Sequence, residues 1–174
     1  MAITKRAAPS NRLLAALPLA ARRRVLAACV RVKFDLYQVL YKPGERVKHV
    51  HFPTSGLLSR IAAVDGRMAL EVGLTGAEGV VGMPQALGLA VASDYAMAQS
   101  AGTALRMTAA AFRREVKRSP AFQRLLYRHS QALLAESSQG AACLNFHGVE
   151  ARLARIGTHG AHPDCGAHRE GLDA

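Results

Sequence analysis

The chain has 174 residues, half of them hydrophobic, and its 23 lysines and arginines against 12 aspartates and glutamates give a net charge of +11. This length and hydrophobic content fit one folded domain and exclude disorder throughout. No run of about 18 apolar residues occurs without a charge or a breaker, which excludes a membrane-spanning helix. Three cysteines, odd in number and far apart, exclude a disulfide framework and favour the reducing cytoplasm.

The positive charge is unevenly distributed along the chain. Residues 1–33 hold eight basic residues and no acid, residues 34–111 are neutral, and residues 112–174 have an excess of three basic residues. A basic balance favours nucleic-acid partners, but here the middle of the chain is electrostatically ordinary. Residues 22–24 (Arg-Arg-Arg) either contact DNA or an acidic partner or form a solvated helix face, which is the usual meaning of such a run.

Two short helices are predicted near the N-terminus. Apolar residues recur there at roughly helical spacing, and Pro18 divides them into two segments. The apolar positions are Leu13, Leu14, Leu17, Val25, Leu26 and Val30. An arginine- and alanine-rich, acid-free N-terminus also fits an organelle transit peptide, but a core-facing stripe favours a retained part of the fold.

The middle of the chain predicts a series of short strands. Alternating or β-branched segments are separated by glycine- and proline-containing turns, which is typical of an antiparallel barrel or roll. The predicted strands are residues 34–41, 47–52, 57–64, 68–74, 93–98 and 103–107. Asp65-Gly66 is a hairpin pair, residues 53–56 form a turn, and the glycine-rich residues 79–88 predict a loop.

The last third of the chain predicts two helices. Thr108 is a plausible N-cap for a helix to about Lys117, and Ser119-Pro120 begins a longer one. The longer helix carries a heptad stripe: Phe122, Leu126, His129, Leu133, Ser137, Gly140 and Leu144. We expect this stripe to pair with a second subunit, because its small residues permit close approach. The alternative is that it packs on its own domain.

The order of these elements resembles the sensor half of Crp/Fnr-type bacterial transcriptional regulators over residues 11–156. The matching segments are residues 11–18 (NRLLAALP), 39–45 (VLYKPGE), 51–56 (HFPTSG), 71–82 (EVGLTGAEGVVG), 104–107 (ALRM) and 149–155 (VEARLAR). The resemblance implies an α+β, mainly β fold: a cyclic-nucleotide-binding-like double-stranded β-helix, or jelly roll, with flanking helices and a long C-terminal dimerisation helix. It implies dimerisation through Leu126, His129, Leu133 and Leu144.

The resemblance also implies a ligand pocket, although two of its residues depart from the family pattern. The candidate pocket residues are Gly79, Val81, Gly82, Met83, Ser93, Asp94 and Tyr95. Cyclic-AMP-binding members have Glu where this chain has Met83, and Arg near Ala92. Without a guanidinium, and with Asp94 repelling a phosphate, the sequence argues against cyclic AMP and leaves an unknown small-molecule effector.

The resemblance implies a winged helix-turn-helix after the long helix, and we expect the C-terminal residues not to form one. Residues 157–174 contain Leu172 as the only large aliphatic residue, too little to fold. The sequence therefore predicts a flexible N-terminus (1–10), a β-roll domain with N-terminal helices (11–118), a dimerisation helix and hinge (119–156) and a disordered tail (157–174). We expect a homodimer, or a mixed dimer with full-length relatives, that does not bind DNA alone.

The remaining candidate sites have simpler explanations. His159, His162, Cys165 and His168 could ligate Zn²⁺, but glycines and a proline between them favour a fortuitous run. His49 and His51 could ligate a metal or haem, although an exposed strand pair is the simpler interpretation. No catalytic triad, carboxylate pair or phosphate loop occurs, so no metal site and no enzymatic activity are expected.

The alternative to a regulator subunit is a stand-alone ligand-binding module that acts through protein contacts.

Overall fold

A computed structural model describes residues 10–64, 67–85, 87–89 and 91–146 of the chain. The described residues up to Leu133 belong to one compact unit, and those from Leu134 onwards to a second. The predicted flexible N-terminus, the Asp65-Gly66 turn, the hinge, the tail and its histidines lie largely or wholly outside the described residues.

The two predicted N-terminal helices are present. Helix α1 spans Arg12–Ala15 and α2 spans Leu19–Ala27. Asn11 caps α1, because its side-chain oxygen accepts a hydrogen bond from the Leu14 N–H at 3.0 Å. Pro18 stands immediately before α2, where its missing N–H costs no helical hydrogen bond.

The first strands differ from the prediction. Val30, expected to continue the helical pattern, begins β1 (Val30–Phe34) instead, because α2 ends at Ala27. The predicted strand 34–41 is interrupted by a turn in which Tyr37 adopts a φ of +62°, and β2 is limited to Val39–Tyr41. The Gln38 side chain stabilises that turn by accepting a hydrogen bond from the Asp35 N–H.

The other strands lie close to their predicted positions. They are β3 (His49–Ser55), β4 (Leu58–Val64), β5 (Arg67–Thr75), β6 (Tyr95–Ala98) and β7 (Gly102–Thr108). Strand β3 runs further than expected, because Pro53 and Thr54 continue it and Gly56 provides the turn at a φ of +75°. The strands form two antiparallel sheets, ordered β1-β7-β3 and β2-β6-β4-β5.

Helices α3 (Ala109–Arg118) and α4 (Pro120–Phe146) follow the last strand. Their starts are confirmed, since Thr108 accepts a hydrogen bond from the Ala111 N–H and Ser119 accepts one from the Phe122 N–H. The N–H groups in the first turn of a helix have no carbonyl partner within the helix. Each cap supplies a side-chain oxygen that accepts a hydrogen bond from one of them. A short 3-10 turn, Met83–Gln85, lies in the loop predicted at 79–88.

Two clusters of buried side chains hold the fold together. The roll core lies between the sheets and consists of Phe34, Tyr41, Val47, Leu58, Val81, Ala92, Ala96, Ala98 and Ala104. The helix-side core joins the helices to the three-stranded sheet and consists of Leu13, Leu14, Leu17, Val25, Val50, Phe52, Val80, Met107, Phe112, Phe122 and Leu126. Two antiparallel sheets around one core, with helices on one side, confirm the predicted jelly-roll fold class. Among the described residues, no helix has the length and apolarity needed to cross a membrane.

Candidate functional site

The loop that follows β5 joins the two cores through neighbouring residues. Val80 lies in the helix-side core and Val81 in the roll core. The Val81 backbone pairs with that of His51 on β3, with N–O distances of 2.8 and 2.9 Å. This pairing fixes the position of the next residue, Gly82, at the wall of the roll.

Gly82 is held in a conformation that favours glycine. Its φ is +100°, and an added Cβ would lie 3.2 Å from both the His49 carbonyl oxygen and the Val50 Cα. The Gly82 backbone amide lies close enough to the Tyr41 hydroxyl to lower the pKa of the phenol. Tyr41 therefore lies beside the amide that could bind an anion at this position.

A charged pair lies beside Tyr41. Arg60 Nη1 on β4 is 3.7 Å from Asp94 Oδ2, and the Asp94 side chain is 13% exposed. Arg60 pairs in register with Ala96 of the roll core, so it lies on the inner face of β4. The guanidinium covers Gly73, where a Cβ would be 2.7 Å from Arg60 Nη2.

Part of this pair lacks hydrogen-bond partners. Arg60 Nε and Asp94 Oδ1 are both buried and have none among the described residues. Unsatisfied buried polar atoms are costly, which makes the pair a candidate binding site. We call Tyr41, Arg60, Gly82 and Asp94 the roll cluster.

Burial changes the acidity of two groups in the roll cluster. Burial raises the pKa of the Tyr41 phenol, and the nearby Asp94 carboxylate raises it further. Burial also raises the pKa of the Asp94 carboxyl, whereas the Arg60 guanidinium opposes that rise. At neutral pH the Tyr41 phenol is therefore neutral, and it lies beside the pair formed by Arg60 and Asp94.

The structure brings only some predicted pocket residues together. Val81, Gly82 and Asp94 lie in or beside the roll cluster. Met83 packs instead against the helix-side core, and Gly79 accepts a hydrogen bond at its carbonyl oxygen from Asn11 Nδ2 at 2.8 Å. Ser93 is exposed and Tyr95 is half-buried on β6.

Two members of the roll cluster were missed by the sequence analysis. Arg60 is the only charged residue within the predicted strand 57–64, and an isolated charge in an apolar strand is a usable signal. Tyr41 gave no such signal, because a tyrosine at a strand end is ordinary. Only the fold shows that its hydroxyl reaches the Gly82 amide.

The position near which the resemblance implies an arginine is occupied by Ala92. Ala92 is buried, and its N–H and carbonyl pair with Glu45 and Gly44 of the turn before β3. The position supplies no guanidinium, and the guanidinium of the roll cluster, that of Arg60, is paired with the Asp94 carboxylate.

The predicted exposed histidine pair has a different arrangement. His51 is 7% exposed, so the expectation of an exposed strand pair is wrong for this residue. The imidazole rings of His49 and His51 form a T-shaped pair with their centroids 6.4 Å apart. No group of three or more His, Cys, Asp or Glu suited to a metal occurs among the described residues.

The start of the α4 stripe packs within its own unit. Leu126 is buried in the helix-side core together with Phe122, so its side chain is not accessible to a second subunit. The His129 imidazole lies against Gly79, whose added Cβ would be 3.1 Å from His129 Cε1. At Leu126 and His129 the stripe therefore packs on its own domain, which was the alternative to pairing with a second subunit. Leu133 is half-buried, and the Leu144 side chain lies outside the described part of the chain.

Among the cysteines, Cys29 is a core residue, as predicted. It packs against the helix-side core. Burial raises the pKa of its thiol to about 11, so it is a thiol and not a nucleophilic thiolate at neutral pH.

Comparison with known proteins identifies the fold. No family model and no curated protein matches the sequence. The structure matches the c-di-GMP-responsive global regulator CLP of Xanthomonas campestris, with a TM-score of 0.69 and 19% identity over 88% of this chain and 78% of that one. It matches a CooA mutant from Carboxydothermus hydrogenoformans (TM-score 0.61, 21% identity, 89% and 99% coverage).

A third match is the catabolite activator protein of Thermus thermophilus. Its TM-score is 0.58, with 17% identity over 83% of this chain and 62% of that one. The matched structures are Crp/Fnr-type regulators and cyclic-nucleotide-binding proteins. The resemblance predicted from the sequence is thus confirmed at the level of the fold.

Proposed function

We propose that the chain is the effector-sensing and dimerisation portion of a Crp/Fnr-like transcriptional regulator of the cytoplasm, without enzymatic activity. The observation that carries this proposal is a buried, incompletely paired polar cluster inside a roll shared with three regulators. Sensor domains of this kind need a polar site that a small molecule can complete.

The effector we infer is a small molecule other than cyclic AMP. Arg60 offers a hydrogen-bond donor and Asp94 an acceptor, so the matching ligand carries both an acceptor and a donor. A ligand with a negative charge alone would be attracted by Arg60 but repelled by Asp94. Amino acids and neutral nucleosides have the required combination.

The loop after β5 connects this site to α4. A ligand that displaces Tyr41 from the Gly82 amide would move Gly82, and Val81 and Val80 precede it directly. Val80 shares the helix-side core with Phe122 and Leu126 at the start of α4. Because close-packed cores transmit small displacements, effector binding would bias the position of the first turns of α4.

Dimerisation is proposed through the C-terminal part of α4. Leu134 is 60% exposed, and the residues after it are mostly small. The small residues are Ala135, Ser137, Ser138, Gly140 and Ala141. Such a surface permits close approach of two helices, either in a homodimer or in a mixed dimer with a full-length relative.

Thermal unfolding tests the sensing proposal. A panel of amino acids, nucleosides and cyclic AMP at millimolar concentration is added to the full chain and to Asp94→Ala. We expect at least one amino acid or nucleoside to raise the Tm of the unsubstituted chain but not of the variant, and cyclic AMP to raise neither. Stabilisation by cyclic AMP alone would contradict the proposed ligand chemistry.

Light scattering tests the dimerisation proposal. The full chain is expected to have the mass of a dimer at micromolar concentration, and Leu134→Gln is expected to shift it towards the monomer. Tyr127→Gln, which also replaces an exposed large side chain of α4 but lies outside the proposed dimer surface, is the matched control. A monomeric unsubstituted chain would contradict the proposal and favour a stand-alone ligand-binding module.

A further inference from the structure

Two groups of basic residues that are far apart in the sequence lie side by side in the structure. They are the arginines at 22–24 and the basic residues within 113–118. Helix α2 contains residues 22–24 and packs against α3. Arg24 Nε of α2 and Arg114 Nε of α3 lie 3.6 and 3.8 Å from the two carboxylate oxygens of Glu115. The Glu115 side chain is only 5% exposed, so one buried carboxylate is shared by guanidinium groups from both helices.

Strand β1 extends the same basic surface. Arg31 lies opposite Leu105 in the antiparallel register, and Leu105 packs against the helix-side core. Residues opposite each other in a register share a sheet face, so Arg31 emerges on the face covered by the helices. Lys33, two residues further, lies on that same face because side chains alternate along a strand.

We call this region the basic surface. It comprises Arg22, Arg23, Arg24, Arg31, Lys33, Arg114, Lys117 and Arg118. Glu115 is the only acidic residue within α2, β1 and α3, and it is buried. Most of the surface charge in this region is therefore not compensated by neighbouring carboxylates of these elements.

Contrary to the expectation from the sequence that the chain does not bind DNA alone, we propose that the basic surface binds the phosphate backbone of double-stranded DNA without regard to base sequence. The guanidinium group of an arginine can bind two oxygens of a phosphate at once, and this surface holds more arginines than lysines. Residues four apart on α3, such as Arg114 and Arg118, are about 6 Å apart, and packed helices are about 8–10 Å apart. A duplex carries one negative charge per roughly 1.7 Å of its axis, so several of these cations can lie near phosphates at the same time.

The composition of the surface favours DNA over an acidic protein. Protein interfaces are centred on apolar and aromatic anchors. In α2, β1 and α3 the exposed large apolar side chains are Leu19 and Val30, each isolated at the start of its element. No aromatic side chain is exposed there, so bases cannot be read by stacking, and binding is expected to be independent of sequence.

The proposal is independent of the proposed sensing function, because it uses none of the roll cluster. Its test measures the fluorescence anisotropy of a labelled 20-base-pair duplex of arbitrary sequence, titrated with the full chain over a range of salt concentrations. The variant Arg23→Gln/Arg31→Gln/Arg118→Gln removes three exposed charges from the basic surface. The control Lys42→Gln/Arg46→Gln/Arg128→Gln removes three exposed charges elsewhere and has the same net charge.

The expected result is salt-dependent binding to unrelated duplexes that the first variant weakens at least ~10-fold, with the slope of log K against log salt reduced by about 2–3. The control is expected to remain within about twofold of the unsubstituted chain. Equal loss in both variants would overturn the proposal, since net charge would then suffice. Tighter binding to polyglutamate than to the duplex would overturn it in favour of an acidic protein partner.

Discussion

Gly82 directly follows Val80 and Val81, the neighbouring residues that belong to the two cores, and it has a backbone conformation that favours glycine. The substitution Gly82→Ala forces a side chain into a φ of +100° and brings Cβ to 3.2 Å from two backbone atoms. We expect it to lower the free energy of unfolding by about 2–3 kcal/mol, as strained backbone conformations do. Urea denaturation measures the change.

Gly44 provides the control for this substitution. Its φ of +80° is similar, but an added Cβ would meet nothing within 4 Å. Gly44→Ala therefore isolates the conformational cost, which we expect to be about 1 kcal/mol. Equal losses at both positions would show that the crowding at Gly82 contributes nothing.

His51 makes stability depend on pH. Burial, together with the nearby His49 and Arg106, lowers the pKa of its imidazole to about 4. The folded protein therefore holds His51 neutral, whereas the unfolded chain binds a proton below about 6.5. Stability is complete above that pH and is lost as the pH falls towards about 4, by up to about 3 kcal/mol.

Urea denaturation at several pH values between 7 and 4.5 tests this dependence. His51→Gln is expected to flatten the decline, because the glutamine does not titrate. His49→Gln is the control, since His49 is less buried and should contribute less. A decline that is equally steep in the His51 variant would contradict the assignment.

Helix α1 has only four residues and depends on its cap for stability. The Asn11 side chain accepts from the Leu14 N–H and donates to the carbonyls of Pro53 and Gly79 at 2.9 and 2.8 Å. Asn11→Ala leaves these three buried groups without partners, and we expect it to lower the free energy of unfolding by about 3 kcal/mol. Urea denaturation gives the value.

A more exposed cap provides the comparison for Asn11. Thr108 caps α3 through one hydrogen bond at a partly open position, so Thr108→Ala should cost about 1 kcal/mol. Asn11→Asp retains the capping oxygen but loses both donors, and it should remain nearly as destabilised as the alanine variant. If Asn11→Asp were as stable as the unsubstituted chain, the two donated bonds would not matter.

Local signals explain which elements were predicted correctly. Thr108 and Ser119 fix helix starts through side-chain hydrogen bonds within one turn, and Pro18 precedes α2 at a position where a missing N–H costs no hydrogen bond, so the sequence suffices there. The division between β1 and β2 was missed, because Tyr37 adopts a φ that its side chain does not reveal. The heptad stripe of α4 was read from spacing alone, and spacing cannot say whether Leu126 faces a second subunit or its own core.

At the scale of the whole molecule, three phenylalanines join elements that are distant in the sequence. Phe52, Phe112 and Phe122 come from β3, α3 and α4, and the rings of Phe112 and Phe122 are 5.6 Å apart at 83°. Phe122→Ala is expected to cost about 3–5 kcal/mol, a large part of the roughly 5–15 kcal/mol typical of a domain. Thermal and urea denaturation measure the loss.

Tyr127 is the matched control for this substitution. It lies on the same helix but is 51% exposed, so Tyr127→Ala should change stability by less than about 1 kcal/mol. A comparable loss in both variants would contradict the assignment of Phe122 to the core that anchors α4.

The sequence alone determined most element types and turns, because these depend on local spacing and residue chemistry, and its resemblance to a known family indicated the fold class and the departures at Met83 and Ala92. Only the tertiary structure decided that Tyr41 lies beside the Gly82 amide, that Arg60 faces Asp94, and that the basic residues of α2 and α3 share one surface. Each of these depends on contacts between residues more than 30 positions apart. The distribution of charge along the sequence therefore indicated an excess of basic residues. The packing of α2 against α3 decided where on the protein that excess is concentrated.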